Sequence, residues 1–115
     1  MEKPHKKLDV WKLSMDLVVE IYKLTHLLPP EEKYNPSSQI KQAVISIPAN
    51  IADGNTKKEF ANFLHIAQGS LSELDTHLEA AKLLGFLKND DLKNADELMT
   101  RIDKMLTGLI KRQKS

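Results

Sequence analysis

Few residues of this chain have the type and spacing that chemistry requires. Glu73 and His77 stand four apart, as do Asp16 and Glu20, and "GSLSE" at 69–73 offers serines beside a glycine. Carboxylate-bridged di-metal bundles need two Glu-x-x-His pairs and two further inward glutamates, and no such set occurs. Glu73 and His77 therefore read as a surface i, i+4 contact. His65, flanked by Leu64 and Ile66, reads as a half-buried core histidine; a lone His makes a poor ligand site. "GSLSE" lacks the second glycine and the preceding strand of a nucleophile elbow. Asp16 and Glu20 read as a solvated face. With no cysteine, thiol nucleophiles, thiolate metal sites and disulfides are excluded. No Walker loop, dinucleotide fingerprint or zinc spacing occurs. The reading assigns no catalytic residue, metal ligand or cofactor, and expects a protein that is not an enzyme.

The basic residues carry more. At 100° per residue, Arg101, Lys104, Lys111 and Arg112 fall within an arc of about 100° on one helix, off its apolar face. Lys114 lies just beyond, Lys57 and Lys58 sit near the start of the third helix, and Lys3, Lys6 and Lys7 make a basic arm. The net charge of +1 hides a gradient: residues 59–97 carry eight acids and three bases, whereas residues 98–115 carry five bases and one acid. Such a strip can contact phosphates. Equally, bases late in a helix complement its dipole and keep the surface wet. No aromatic residues interleave with the bases, so stacking on single strands is not indicated.

The elements that must position these residues are helical. With 41% hydrophobic and 29% charged residues, a chain of 115 is expected to fold as one domain spanning 1–115. No apolar run approaches the roughly 18 residues of a membrane span, and "MEKPHKK" leads into no signal core; a cytoplasmic protein is expected. Residues 1–7 read as a mobile basic tail. Helices are predicted at about 9–27, 37–53, 58–84 and 90–112, an all-α, antiparallel up-down four-helix bundle.

The first helix, with Asp9 as its N-cap, carries two stripes. Val10, Leu13, Leu17, Ile21, Leu24 and Leu28 form one, and Trp11, Met15, Val18 and Tyr22 the other; together they exceed what a simple bundle buries. "LPPEEKYNPSS" reads as a loop in which Asn35 caps and Pro36 opens the second helix. There Ile40, Val44, Ile47 and Ile51 stay in phase across Pro48, which predicts a kink and not a stop, with Ser46 or a water taking up the freed Val44 carbonyl. Gln39, Ala43, Ser46 and Asn50 make a small or polar stripe that either faces solvent or admits a close neighbour. Gly54 is expected as a left-handed cap.

In the third helix Phe60, Leu64, Ala67, Leu71, Leu74, Leu78 and Ala81 keep near-heptad spacing. Gly69 and Ser70 at mid-helix predict close packing, and Gly85 with Phe86 a Schellman ending. Asn89 is expected to cap the fourth helix, with Leu92, Ala95, Met99, Ile102, Leu106 and Leu109 on its core face.

Taken together, "DVWKLSMDLVVEIYKLT", "SQIKQAVISIPANIADGN", "EFANFLHIAQGSLSELDTHLEAAKLLGFL" and "KMLTGLIK" resemble the bacterial four-helix-bundle family first met as proteins encoded by intervening sequences in 23S ribosomal RNA genes. The resemblance covers nearly the whole chain, in order. It implies a left-handed bundle that assembles as a ring-like homopentamer without known catalytic activity. A related group, the accessory proteins of diversity-generating retroelements, binds reverse transcriptase and nucleic acid through a basic surface. Carried over, this implies contact with RNA or with a nucleic-acid-processing protein, and a helix-four strip multiplied fivefold. The departure lies in "ADGNTKKEF", where an arginine-containing loop is frequent in the family and this chain has Asp53 with only Lys57 and Lys58.

Overall fold

The computed structural model describes residues 1–30 and 36–114. A short 3-10 turn over Pro4–Lys7 precedes four helices: α1 (Asp9–Thr25), α2 (Ser37–Gly54), α3 (Phe60–Leu83) and α4 (Asn89–Lys114). No strand occurs among the described residues, and no helix is long and apolar enough to cross a membrane. α1 stops two residues before its predicted end because the chain tightens. The N–H groups of Leu27 and Leu28 bond the carbonyls of Leu24 and Thr25, three residues back, which satisfies carbonyls that an α-helix end leaves open.

Several caps differ from the sequence expectation. Asp9 is not the N-cap of α1; Leu8 is, without a side-chain cap bond, and Asp9 opens the first turn, where its charge still suits the helix dipole. Asn89 does not cap α4 either. Asp91 accepts the Lys88 N–H at 2.8 Å, reaching back as the third residue of a capping box does. Asn35 lies outside the described residues; Pro36 is the half-helical residue before α2, and its carbonyl accepts the Ile40 N–H at 2.8 Å. Gly85 ends α3 as predicted. At φ +85° it lets Phe86 N–H bond the Ala81 carbonyl and Gly85 N–H the Lys82 carbonyl, at 2.9 and 3.0 Å, the Schellman pair.

Gly54 is the reverse case. Its φ is not positive, so it forms no left-handed cap. It is the last residue of α2, and it is glycine because Phe63 of α3 lies against it: a Cβ built there would overlap the Phe63 Cβ and lie 2.7 Å from its Cγ. Gly54 is thus a point of close approach between helices.

Each helix touches two others and leaves the fourth across the core. α1 packs on α2 and α4, and α3 packs on α2 and α4, the α2–α3 contact being the most extensive; no Cα of α1 lies within 8 Å of α3, nor any of α2 within 8 Å of α4. The chain is a four-helix bundle. The α2 stripe Ile40, Val44, Ile47 and Ile51 is fully buried, as are Leu64, Ala67 and Leu74 of α3. Two predicted stripes shift at one position each. Leu13 is only half-buried, while Ser14 is enclosed and donates to the Val10 carbonyl at 2.7 Å. In α4 the last inward step falls on Ile110, leaving Leu109 half-buried. His65 is exposed and not part of the core.

α2 runs unbroken through buried Pro48. Ser46 does not turn to the Val44 carbonyl. Its Oγ lies 2.8 Å from Ser70 Oγ and accepts Asn50 Nδ2 at 3.0 Å, while the same Nδ2 donates to the Ser46 carbonyl at 2.8 Å. The stripe of α2 therefore admits a neighbour at Ala43, Ser46 and Asn50, and meets solvent at Gln39. Ser70 is buried in that contact, but Gly69 is not: a Cβ built on it meets nothing within 4 Å. Within one chain the expected close packing belongs to Ser70 alone.

Candidate nucleic-acid interface

α4 reaches the basic end of the molecule because its apolar stripe, from Leu92 to Ile110, pins one face to the core for the whole length of the helix. The opposite arc is left to solvent. Arg101, Lys104, Lys111 and Arg112 are all exposed there. Lys114 is the last residue of α4, and its side chain lies outside the described part of the structure.

The exposed arc is divided. Arg101 shares a shallow concavity between α1 and α4 with Asp16, Glu20, Lys23 and Glu97. Three carboxylates around it lower the local potential, so this arginine is a poor phosphate contact. One to three turns further along, the surroundings change sign. Lys104 and Arg112 line a second concavity, whose opposite wall is the N-terminal segment from Lys7 to Val10. Lys7 thus joins the strip from a different part of the chain. The floor is apolar, with Leu8 and Val10 facing Met105 and Leu109. Asp9 is the single acid in the lining.

The N-terminal turn makes contacts with the bundle. It packs on α1 and α2, and the His5 ring meets the edge of Trp11 with centroids 5.2 Å apart at 63°. Lys6 Nζ donates to the Met1 carbonyl at 2.6 Å. Leu8 N–H bonds the His5 carbonyl at 3.0 Å, closing the turn directly before α1. Sequence reasoning found a basic arm and a basic helix face separately. It did not find that they meet, because only the α1–α4 contact brings them together.

Lys57 and Lys58 belong to the same end but not to the same concavity. Gln68 Nε2 donates to Thr107 Oγ1 at 2.9 Å and to Asp103 Oδ1 at 3.3 Å. That register sets the start of α3 level with the last turns of α4. Lys57 lies over the Phe63 ring at 5.0 Å from its centroid, beside the Gly54 junction, and Lys58 is exposed. Elsewhere α4 is acidic: Asp96 and Asp103 line a concavity on α3 with Asp75, Ser72 and Thr100. The polar pairs dismissed on sequence remain on the surface, with Glu73 Oε1 at 3.6 Å from His77 Nε2. Among the described residues no three metal-binding side chains come together.

Comparison with known proteins fits this architecture. A crystal structure of a protein of unknown function from the S23 ribosomal protein family of Bacteroides thetaiotaomicron VPI-5482 superposes with a TM-score of 0.79 at 28% identity. The match covers 89% of this chain and 98% of that one. Comparison with curated proteins returned no match. The family model described as 23S rRNA-intervening sequence protein matches residues 6–108, a span that takes in the end of the N-terminal turn, all of α1–α3 and most of α4. The chain belongs to the 23S rRNA-intervening sequence protein family.

Proposed function

We propose that this protein is a non-catalytic, self-assembling bundle that binds structured nucleic acid, or a ribonucleoprotein, through its basic end. The observation that carries the reading is the convergence of Lys7 with Lys104 and Arg112 around one concavity, with Lys111 beside them and Lys57 and Lys58 at the same end. Cations grouped on a rigid frame release condensed counterions when they meet phosphates, so binding weakens steeply with salt. Its proposed setting is the cytoplasm. The proposed assembly is the homopentamer implied by the family resemblance, which repeats the basic end fivefold and turns a small patch into a charged ring.

The test is salt-dependent binding of a labelled RNA hairpin. Replacing Lys104, Lys111 and Arg112 by Gln is expected to leave the fold intact, since none lies in the core. It is expected to weaken binding and flatten the salt slope by roughly one unit for each lost phosphate contact. Arg101→Gln is expected to change little, because Asp16, Glu20 and Glu97 share its concavity. Unchanged affinity in the triple variant would move the reading to a protein-interaction scaffold. One observation favours that alternative: an exposed apolar stripe on α1, from Met15 to Tyr22, able to receive a protein partner.

A further inference from the structure

We infer that the N-terminal turn is a working wall of the basic concavity: Lys7 and the α4 cations together grip the phosphodiester backbone of a nucleic acid, and His5 on Trp11 sets the position of Lys7. The inference rests on the proposed nucleic-acid reading and adds where the ligand sits and what shapes the site. Its ground is geometric. Lys7 lies on one wall of the concavity, Lys104 and Arg112 on the other, so a ligand seated between them must touch two segments nearly a hundred residues apart in sequence.

The position of Lys7 follows from its neighbours. Lys7 is the last residue of the 3-10 turn and Leu8 is the residue before α1. The turn carries no buried residue of its own. What docks it is a side-chain contact, the His5 ring against Trp11, together with Leu8, which packs half-buried on the core. Freed from Trp11, the turn would pivot about Leu8 and carry Lys7 away from Lys104. The concavity selects phosphates over bases for two reasons. Its rim is cationic and its floor aliphatic, with no aromatic ring on which a base could stack. Asp9 is the one acid in the lining, against the three cations Lys7, Lys104 and Arg112. His5 and Trp11 are positioning residues, and Lys7 is the contact.

The experiment compares Lys7→Gln, His5→Ala and Lys104→Gln in the full chain, with a labelled RNA hairpin titrated at several salt concentrations. Trp11 is the chain's one tryptophan, so its emission reports whether the turn is docked. Lys7→Gln is expected to weaken binding severalfold and to lower the salt slope by about one unit, as Lys104→Gln does. His5→Ala is expected to shift Trp11 emission to the red and weaken binding severalfold with the slope kept, because Lys7 still reaches its phosphate after ordering on the ligand. If Lys104→Gln weakens binding but Lys7→Gln and His5→Ala do not, the gripping role of the turn is overturned while the nucleic-acid reading stands. If the hairpin is not bound at all, both fall together.

Discussion

At the scale of single residues, neither of two helical glycines takes the role that its position in the sequence suggests. Gly54 faces the Phe63 side chain at its Cβ and Cγ, atoms close to the α3 backbone that cannot swing aside. Gly54→Ala therefore forces α2 and α3 apart where they join. It is expected to cost about 1–3 kcal/mol, the usual range for an overpacked core, read as a lower midpoint in a thermal melt. Gly69 is the opposite. Open space surrounds it, so Gly69→Ala adds only helix propensity and is expected to stabilise an isolated chain by up to about 1 kcal/mol. If that variant instead destabilises the assembled protein, the partner chain that needs a bare backbone there is located. The sequence suggests other roles, a left-handed cap at Gly54 and close packing at Gly69; a glycine's place along a helix does not say which face its neighbour approaches.

At the scale of elements, the apolar stripes were readable because a 3.6-residue repeat leaves few ways to bury a helix. All seven predicted inward positions of α3 are buried, and the four of α2 are fully enclosed. The caps were less readable. Asp9, Asn89 and Gly54 have the residue types that caps favour, yet Leu8 precedes α1, Asp91 makes the bond at α4 and Gly54 has no positive φ. A cap depends on the backbone angle at which the chain enters, which tertiary packing sets. The site was legible in halves, its cations by type and its joining of Lys7 to α4 not at all, because that depends on which helices are neighbours. Pro48 illustrates the same coupling. α2 continues through it, and beside it Ser46, Asn50 and Ser70 form a polar cluster across to α3. Pro48→Ala returns an N–H for Val44, worth up to about 3 kcal/mol in an isolated helix. In this protein the ring is buried and the Ser46–Ser70 contact depends on the local course of α2. The variant is expected to melt lower than the parent despite its better helix propensity. An equal or higher midpoint would show that proline is only tolerated at this position.

At the scale of the whole molecule, the bundle is uneven in what it shows to solvent. The α3–α4 surface is acidic and hydrogen-bonded, and the α1–α4 surface carries charges of both signs around apolar floors. The outer side of α1 differs. Met15, Val19 and Tyr22 are 39%, 58% and 38% exposed, and Ile45 of α2 is 43% exposed. Lys41 of α2 lies over the Tyr22 ring at 5.1 Å, which places the Tyr22 edge of this stripe on the α1–α2 side, while Val19 at its other edge also lines the α1–α4 concavity. Trp11 and Val18, half-buried, complete it toward the core. Monomeric proteins seldom leave a contiguous stripe of this kind in water, and the width of the α1 apolar arc is hard to explain otherwise. If the stripe is the contact between copies, charge placed on it must break the assembly without touching the fold. Met15→Glu with Val19→Glu adds two carboxylates to residues already exposed, so helicity by circular dichroism is expected to remain. Burying those carboxylates against apolar partners would cost several kcal/mol, more than a small interface can absorb. Sedimentation equilibrium is then expected to give a mass several times 13.1 kDa for the parent and close to 13.1 kDa for the double variant. A double variant that keeps the parent's mass would move the contact off α1, and the exposed Leu83 and Leu84 at the end of α3 would be the next to test. A parent of 13.1 kDa would instead remove self-assembly, and with it the fivefold ring of cations on which the strongest form of nucleic-acid binding depends.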